Sequence, residues 1–313
     1  MTVGVLVMAH GTPATPEEIE PFYTRIRRGR PPSAEQLADL RRRYEAIGGT
    51  SPLAARTAAQ VTGLAARLEE EAPGRYLVRF GAKHTEPTIE SAAAEVVAAG
   101  VEAAVGLVLA PHRSSLGSEE YLTRAAAVFD EAGIPFFPVH QWFDEPGFAD
   151  LLAARVRSTL DSMGARRPVV IFTAHSLPVR AAATYPDQLE ASAAAIARAA
   201  GLGDDWRVAW QSAGRTPEPW LGPDLLQVLG GLRPEGIDAA LVCPVGFVSD
   251  HLEVLYDLDV EARLVAEEAG LTFARTPSLN DDPGLAAILA RAVRQAGRDA
   301  APVGPGPERD GRG

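Results

Sequence analysis

Three acidic residues recur at helical spacing in the C-terminal part of the chain. Glu253, Asp257 and Glu261 are four residues apart, so on an α-helix they would form one acidic stripe. Like charges at this spacing repel one another and cost a helix roughly a few tenths of a kcal/mol per pair. A bound cation would offset this repulsion. The alternative interpretation is a solvent-exposed acidic face.

Histidine is the second residue type that could carry out chemistry. Each of the six histidines follows a predicted strand: His10, His84, His112, His140, His175 and His251. His175 and Glu253 come from two strand ends in the same half of the chain. A neutral imidazole facing a carboxylate can accept protons from a substrate, bind a divalent metal, or do both. A structural role in a loop is the alternative for any of these histidines.

A basic segment in the first half could bind a substrate that carries carboxylates. Arginine holds carboxylates through two parallel hydrogen bonds, and the candidates are Arg25, Arg27, Arg28, Arg30 and Arg43. A solvated helix surface is the alternative for some of them. Ser33 and Gln36 predict a capping box at the start of the helix that carries Arg43. Lys83 stands out because it is the single lysine among 30 basic residues.

Strand and helix signals alternate along the chain, which is typical of α/β folds with parallel sheets. Two halves of about four strand–helix units each predict two Rossmann-like domains, with the active-site cleft between the carboxyl ends of their strands. The predicted domains are residues 1–143 and 144–300, and residues 301–313 are predicted to be a disordered tail. Neither G-x-G-x-x-G nor G-x-x-x-x-G-K occurs, so no nucleotide-binding fingerprint supports a dehydrogenase or a P-loop enzyme.

The acidic stripe is expected to follow directly from a strand. The apolar run at 239–245 predicts a buried parallel strand. Gly246 is predicted to let the backbone turn at the carboxyl end of that strand. Ser249 or Asp250 is predicted to cap the helix that carries the stripe. Together these elements would place Glu253 at the edge of the second sheet.

Composition excludes several classes of protein. A net charge of -11 argues against nucleic acid and anionic membranes as partners. No apolar run approaches the ~20 residues of a membrane span, and the first residues lack the basic region of a signal peptide. The single cysteine, Cys243, excludes a cysteine-ligated iron–sulfur cluster. We therefore expect a cytoplasmic protein without a tightly bound cofactor. Since no heptad or apolar helix face indicates an oligomer, we expect a monomer.

Several motifs carry a family resemblance that covers residues 3 to about 298. They are VLVMAHGTP at 5–13, KHTEP at 83–87, TAHSLP at 173–178, WQSAGRTPEPWLGPD at 210–224 and GFVSDHLEVLYD at 246–257. These runs resemble the ferrochelatases, and more closely the coproporphyrin ferrochelatases of Gram-positive bacteria. The resemblance implies two Rossmann-like domains, with the last helix packing back on the first.

The resemblance implies a lyase of heme biosynthesis that inserts Fe²⁺ into coproporphyrin III, releases two protons and gives coproheme. His175 would accept the pyrrole protons and ligate the metal, with Glu253 as its partner carboxylate. Asp257 and Glu261 would continue an acidic path for metal or protons. Iron would be a substrate here, and the pathway implies a transient partner that takes the coproheme onward.

The resemblance also implies a set of porphyrin-binding residues. Those that would hold the propionates are Arg27, Arg43, Ser51 and Tyr121. Lys83 and His84 match a pair at the cleft mouth. His10 stands where the Gram-positive enzymes commonly carry tyrosine, and it would face the ring opposite His175.

Three alternative functions stay open at the level of sequence. They are a protoporphyrin IX ferrochelatase, a chelatase for another metal or tetrapyrrole, and a two-domain heme- or solute-binding protein without chemistry. The second is suggested by the apolar strand followed by His10-Gly11, which is similar to the small cobalt chelatases.

Overall fold

The computed structural model describes residues 2–165 and 167–299, which form two parallel sheets of four strands each. The strands are β1 (Val3–Ala9), β2 (Tyr76–Ala82), β3 (Ala103–Val108), β4 (Phe136–Val139), β5 (Pro168–His175), β6 (Trp206–Gln211), β7 (Ala239–Cys243) and β8 (Thr272–Arg275). Their order is β2-β1-β3-β4 in the first sheet and β6-β5-β7-β8 in the second. The predicted α/β fold with parallel sheets is confirmed.

Each sheet has a switch point at the strand that begins it. β1 pairs with β2 on one side and with β3 on the other, and β5 pairs in the same way with β6 and β7. Crossovers that leave a sheet in opposite directions open a crevice at the carboxyl ends of these strands. His10 directly follows β1 and His175 is the last residue of β5. Each sheet therefore presents a histidine at its own switch point.

The described residues contain eleven α-helices. They are α1 (Ile19–Ile26), α2 (Ala34–Ala46), α3 (Leu53–Glu71), α4 (Ile89–Ala98), α5 (Ser118–Glu131), α6 (Phe148–Met163), α7 (Tyr185–Ala200), α8 (Leu225–Gly231), α9 (Leu252–Tyr256), α10 (Arg263–Glu268) and α11 (Pro283–Asp299). Within these ranges, no helix has both the length and the apolar composition needed to cross a membrane.

The predicted capping box at the start of α2 is confirmed. The Gln36 backbone N–H donates to Ser33 Oγ at 3.2 Å, and the Ser33 backbone N–H donates to Gln36 Oε1 at 3.0 Å. Two N–H groups that the helix cannot satisfy internally thus gain partners. The cap fixes where α2 begins, and so fixes the turn of the helix on which Arg43 lies.

The predicted single helix with an acidic stripe was wrong in its geometry. Residues Asp257–Ala262 form a π-helix between α9 and α10. Its wider turn closes hydrogen bonds to the fifth residue rather than the fourth, so residues four apart no longer lie one above the other. Glu253 and Asp257 line the cleft described below, whereas Glu261 does not.

The predicted helix cap was also wrong. His251 is the N-cap residue of α9, and its side chain makes no capping hydrogen bond. Asp250 instead accepts hydrogen bonds from Ser278 Oγ and Asn280 Nδ2, both at 2.8 Å, and its Oδ1 lies 3.2 Å from Arg275 Nη1. The Asp250 carboxylate therefore ties the loop before α9 to the segment after β8.

Gly246 lies in the predicted turn after β7, where the Phe247 N–H donates to the Pro244 carbonyl at 3.1 Å, and it also allows a close contact that was not predicted. Its φ angle is not in the left-handed region, but a Cβ atom there would lie 2.5 Å from Ala174 Cβ and 2.9 Å from Ala174 Cα. Such distances do not occur between real side chains. The missing Cβ lets the loop after β7 lie directly against β5, one residue before His175.

The two halves share buried side chains. One continuous apolar cluster includes Leu64 of α3, Trp142, Leu189 of α7 and Leu289 of α11. α11 packs against α3, β3 and β4, so the last helix lies on the first half. The division into residues 1–143 and 144–300 stays a prediction, and the predicted tail at 301–313 lies outside the described residues.

Candidate active site

A cleft of about 1230 Å³ lies at the carboxyl ends of the strands and is lined by residues of both halves. Five of the six histidines line it: His10, His84, His112, His175 and His251. Sites in open α/β sheets form where strand ends at a switch point leave a crevice. The position of these histidines just after strands therefore brings them together, although they are far apart in sequence.

Glu253 lies between two histidines of the second half. Its Oε2 atom is 3.7 Å from His175 Nε2 and 3.8 Å from His251 Nε2. Both distances are too long for hydrogen bonds, and the contact with His175 is an ion pair when that imidazole is protonated. The His175 and Glu253 side chains are 34% and 39% exposed, so both remain open to a ligand in the cleft.

The tautomer of His175 is set by the backbone. Its Nδ1 lies within hydrogen-bonding distance of the Ser176 carbonyl oxygen, which can only accept, so Nδ1 carries the proton. Nε2 then faces Glu253 and the cleft. This orientation presents the nitrogen that can take a proton or a metal towards the space a substrate would fill.

The electrostatics favour a charged pair at neutral pH. Burial in the cleft opposes charge on His175, but the Glu253 carboxylate outweighs it and raises the pKa of His175 to about 9. Burial likewise opposes charge on Glu253, and His175 with its neighbours holds the pKa of Glu253 well below its usual range. An arriving metal requires a neutral imidazole and so releases the His175 proton.

Asp257 is a buried carboxyl one turn beyond Glu253. Ser212 Oγ donates a hydrogen bond to its Oδ2, and Arg43 Nη1 lies 3.7 Å from its Oδ1. Burial, followed by the Glu253 and Glu261 charges, raises the pKa of Asp257 to about 7. A carboxyl poised near neutrality can both take up and give away a proton.

The side chains predicted to hold propionates all line the cleft: Arg27, Arg43, Ser51 and Tyr121. The Arg27 guanidinium lies 5.7 Å from the Tyr23 ring centre, and that of Arg43 lies 4.9 Å from the Tyr256 ring centre. Stacking of this kind orients the planar guanidinium. Arg27 Nε also donates to the Arg30 carbonyl at 3.2 Å, and Arg43 lies beside Asp39 and Asp257. The structure brings these residues to one site and leaves their role as a prediction.

Ser51 and Tyr121 offer hydroxyl groups rather than charge. Ser51 Oγ accepts a hydrogen bond from the Leu53 backbone N–H at 3.2 Å, at the start of α3. Tyr121 is 7% exposed, and burial raises its pKa above its usual range. It therefore stays protonated and can donate a hydrogen bond. Lys83 Nζ lies 4.9 Å from the Tyr121 ring centre and pairs with Glu120 at 2.9 Å.

His10 and His84 form a second imidazole pair on the N-terminal half. Their ring centres are 4.7 Å apart, and Phe22 lies 5.8 Å from His10 and 6.3 Å from His84. Desolvation by the surrounding walls, despite the opposing Glu253 charge, lowers the pKa of His10. Burial and the nearby positive charges lower the pKa of His84 to about 3. Both rings are therefore neutral at pH 7.

His251 is a site residue that no sequence pattern indicates as one. It contacts Glu253 directly, and burial lowers its pKa to about 4. Its position after a predicted strand was the available signal, but all six histidines of the chain share that position. Only the fold shows which of them meet.

His112 is buried at the junction of the two halves and is not available for chemistry. Its Nε2 lies 2.8 Å from Ser192 Oγ on α7, its ring stacks on Phe143, and burial lowers its pKa to about 3. Unfolding frees this imidazole to take a proton below pH 6.5, so acid lowers stability between pH 6.5 and about 3.

We expect His112→Gln to flatten this acid dependence. The native protein should lose about 1.4 kcal/mol of unfolding free energy, from this group alone, for each pH unit below 6.5. Urea unfolding of both proteins at pH 7, 6, 5 and 4.5 measures the difference. Two parallel profiles would contradict the prediction.

The charge of the cleft differs from that of the whole chain. Seven arginine or lysine residues but four aspartate or glutamate residues line it, although the chain as a whole carries a net charge of -11. Basic residues predominate along the lining as a whole. Glu253 lies next to His175, and Asp257 lies one turn beyond Glu253. An anionic ligand with a metal-binding centre fits this distribution.

In the residues described, no three or more His, Cys, Asp or Glu side chains are arranged to hold a metal ion. His175 and Glu253 are the two predicted ligands that meet. Asp257 follows them along α9 and the π-helix, and Glu261 lies outside the cleft lining. Cys243 is fully buried in β7.

The fold and the site define a two-domain α/β protein with an open cleft, and comparison with known proteins identifies its family. The family model "Ferrochelatase" matches residues 2–297. The chain belongs to the ferrochelatase family.

Two relatives show how close the match is. The coproporphyrin III ferrochelatase of Geobacillus thermodenitrificans (strain NG80-2) is 46% identical over 301 residues, covering 93% of this chain and 95% of the relative. That of Bacillus subtilis (strain 168) is 43% identical over 300 residues, covering 93% and 96%.

A solved structure supports the fold alone. SirB from Bacillus subtilis with Fe³⁺ aligns with a TM-score of 0.60 at 12% sequence identity, covering 96% of this chain and 97% of that chain.

Proposed function

We propose that this chain inserts Fe²⁺ into coproporphyrin III, releases two protons and gives coproheme, as a lyase of heme biosynthesis. The observation that carries the proposal is the His175–Glu253 pair, 3.7 Å apart, open to a basic cleft of about 1230 Å³. The high identity to coproporphyrin III ferrochelatases supports the same reaction.

In this proposal the basic lining holds the four propionates and the histidine–glutamate pair acts at the ring centre. A clamped ring can be strained out of plane by remote propionate contacts, which exposes the pyrrole lone pairs to the metal. His175, once neutral, accepts the two pyrrole protons at Nε2 one after the other, and Glu253 stabilises the imidazolium formed each time. Asp257, with its pKa of about 7, takes protons onward. Glu261, next along the chain, lies outside the cleft lining and takes no direct part in these steps.

The experiment that tests the proposal is anaerobic Fe²⁺ insertion, followed by absorbance, with coproporphyrin III and protoporphyrin IX compared at equal concentrations. Faster turnover of coproporphyrin III is expected, because the basic lining can hold four propionates rather than two. A preference for protoporphyrin IX would contradict the substrate assignment. Turnover of neither would contradict the proposed function.

The proposal includes several properties of the whole protein. Iron is a substrate, no cofactor is tightly bound, and no iron–sulfur cluster is held because the chain has one cysteine, which is buried. The enzyme acts as a cytoplasmic monomer and passes coproheme to a transient accepting enzyme. Size-exclusion chromatography with light scattering tests whether the purified protein is a monomer. Metal analysis of the same protein tests whether it holds a metal cofactor or cluster.

A chelatase for another metal is the second candidate function. The observation that favours it is the neutral His10–His84 pair, since imidazole suits several divalent metals. Rates of insertion of Fe²⁺, Co²⁺ and Zn²⁺ into the same porphyrin distinguish the two candidates. Faster insertion of Co²⁺ than of Fe²⁺ would favour the second.

Arg27→Gln is expected to raise the KM for coproporphyrin III by about tenfold while kcat changes little, because one charge-assisted contact to a propionate is lost. Steady-state rates at varied porphyrin concentration measure this. Arg30→Gln is the matched control, since Arg30 is exposed and lies outside the cleft lining. Equal KM values for the two variants would contradict a role of Arg27 in binding.

A further inference from the structure

We propose that Arg215 binds a substrate carboxylate from the C-terminal side of the cleft and so contributes to the preference for a tetracarboxylate porphyrin. This inference rests on the proposed function. Six of the seven basic residues that line the cleft come from the N-terminal half, and Arg215 is the seventh. A ring with carboxylates on several edges would present at least one to the C-terminal half, where Arg215 is the only arginine or lysine among the lining residues described.

Arg215 has a weak partner in the structure. Its Nη2 lies 3.4 Å from Asp39 Oδ2 on α2, and its side chain is 76% exposed. The same carboxylate also accepts from Arg42 and lies 3.3 Å from Arg43 Nε. One carboxylate is thus shared among three guanidinium groups, of which Arg43 also lies 3.7 Å from Asp257, so the charge of Arg215 is incompletely neutralised. An exposed pair of this kind is worth little, and a substrate carboxylate can replace it.

The backbone that carries Arg215 is held in place relative to His175. Trp220 Nε1 donates to Thr216 Oγ1 at 2.9 Å. A Cβ atom on Gly214 would lie only 2.4 Å from Trp220 Cζ2, so the glycine lets the Trp220 ring pack directly against the backbone beside Arg215. The Leu221 N–H donates to the Leu177 carbonyl at 2.9 Å. The loop is therefore fixed to the segment that directly follows His175, and a carboxylate bound by Arg215 would be placed at a set distance from the reacting centre.

The test is the dissociation constant for porphyrin, measured by fluorescence titration without metal. R215Q is expected to weaken coproporphyrin III binding roughly fivefold, as for one partly exposed charged contact, and to weaken protoporphyrin IX binding less. Arg180→Gln is the matched control. Arg180 is 68% exposed, pairs with Glu218 of the same loop and lies outside the cleft lining, so its loss should leave both constants as in the native protein.

A second variant, D39N, distinguishes a role of Arg215 in substrate binding from a role limited to its contact with Asp39. D39N frees Arg215 and removes a negative charge that would repel propionates, so coproporphyrin III should bind a few times more tightly. If Arg215 served only to hold Asp39, D39N would weaken binding as much as R215Q. That result, or an R215Q variant with native affinity for both porphyrins, would overturn the inference while leaving the proposed iron insertion intact. Native protein that binds neither porphyrin would overturn both.

Discussion

His175→Asn is expected to lower the rate of Fe²⁺ insertion by about 10²- to 10⁴-fold, the range typical for loss of a proton acceptor. Asparagine keeps a polar group that can reach the Ser176 carbonyl, but it has no nitrogen able to accept a pyrrole proton or to ligate the metal. Affinity for coproporphyrin III should stay near the native value, because the residues proposed to hold the propionates lie elsewhere in the cleft.

Stopped-flow absorbance with prebound porphyrin measures the rate, and fluorescence titration measures the affinity. His140→Asn is the matched control, since His140 lies outside the cleft lining and pairs with Glu119 at 2.7 Å. A rate within a few fold of native for His175→Asn would exclude His175 as the proton acceptor.

Glu253→Gln is expected to reduce iron insertion by a similarly large factor and to change the pH behaviour of the protein. Without the carboxylate, only the Ser176 carbonyl and Asp257 remain to oppose the burial that disfavours charge on His175, so the pKa of His175 should fall well below about 9. The imidazolium formed after proton transfer would lose its counter-charge. Imidazole proton NMR, followed against pH in the metal-free protein, reads this pKa directly.

The same change has a defined effect on stability. A raised pKa of His175 contributes stability that is fully present below pH 6.5, its unfolded value, and is lost as the pH rises through about 9. The lowered pKa of Glu253 contributes stability above its unfolded value of 4.5 that is lost at more acidic pH. The difference in melting temperature between native protein and Glu253→Gln should therefore be largest between pH 4.5 and 6.5, and should shrink towards pH 9.

Glu261→Gln is the control for the removal of negative charge, because Glu261 lies in the π-helix that follows α9 but outside the cleft lining. It should retain most of the metallation rate. Equal losses in the two variants would indicate that the overall acidity of this segment, and not the contact of Glu253 with His175, supports the reaction.

Sequence predicted those features that depend on neighbouring residues or on a simple topological rule. Alternating strands and helices indicated two parallel sheets, and Ser33 with Gln36 indicated the cap of α2. His175 and Glu253 were expected to meet because both follow strands of one sheet, and the structure places them 3.7 Å apart. Parallel strand ends lie at the same edge whatever the details of packing.

The features that sequence could not supply depend on the packed fold. The π-helix at Asp257–Ala262 changes which acidic residues face the cleft, yet its sequence has the same polar and apolar spacing as an α-helix. Gly246 lies in the predicted turn, but its close approach to Ala174 depends on how β5 packs against the loop after β7. The contact between Arg215 and Asp39 joins residues 176 positions apart, and no local pattern indicates it.

The central claim is that coproporphyrin III receives iron beside the His175–Glu253 pair. The most direct measurement mixes anaerobic Fe²⁺ with coproporphyrin III already bound to native protein, His175→Asn or Glu253→Gln, and follows the porphyrin absorbance. The native protein should convert the bound porphyrin to coproheme, while both variants keep the porphyrin bound and unconverted. Conversion by either variant at the native rate, or by the native protein no faster than without protein, would contradict the claim.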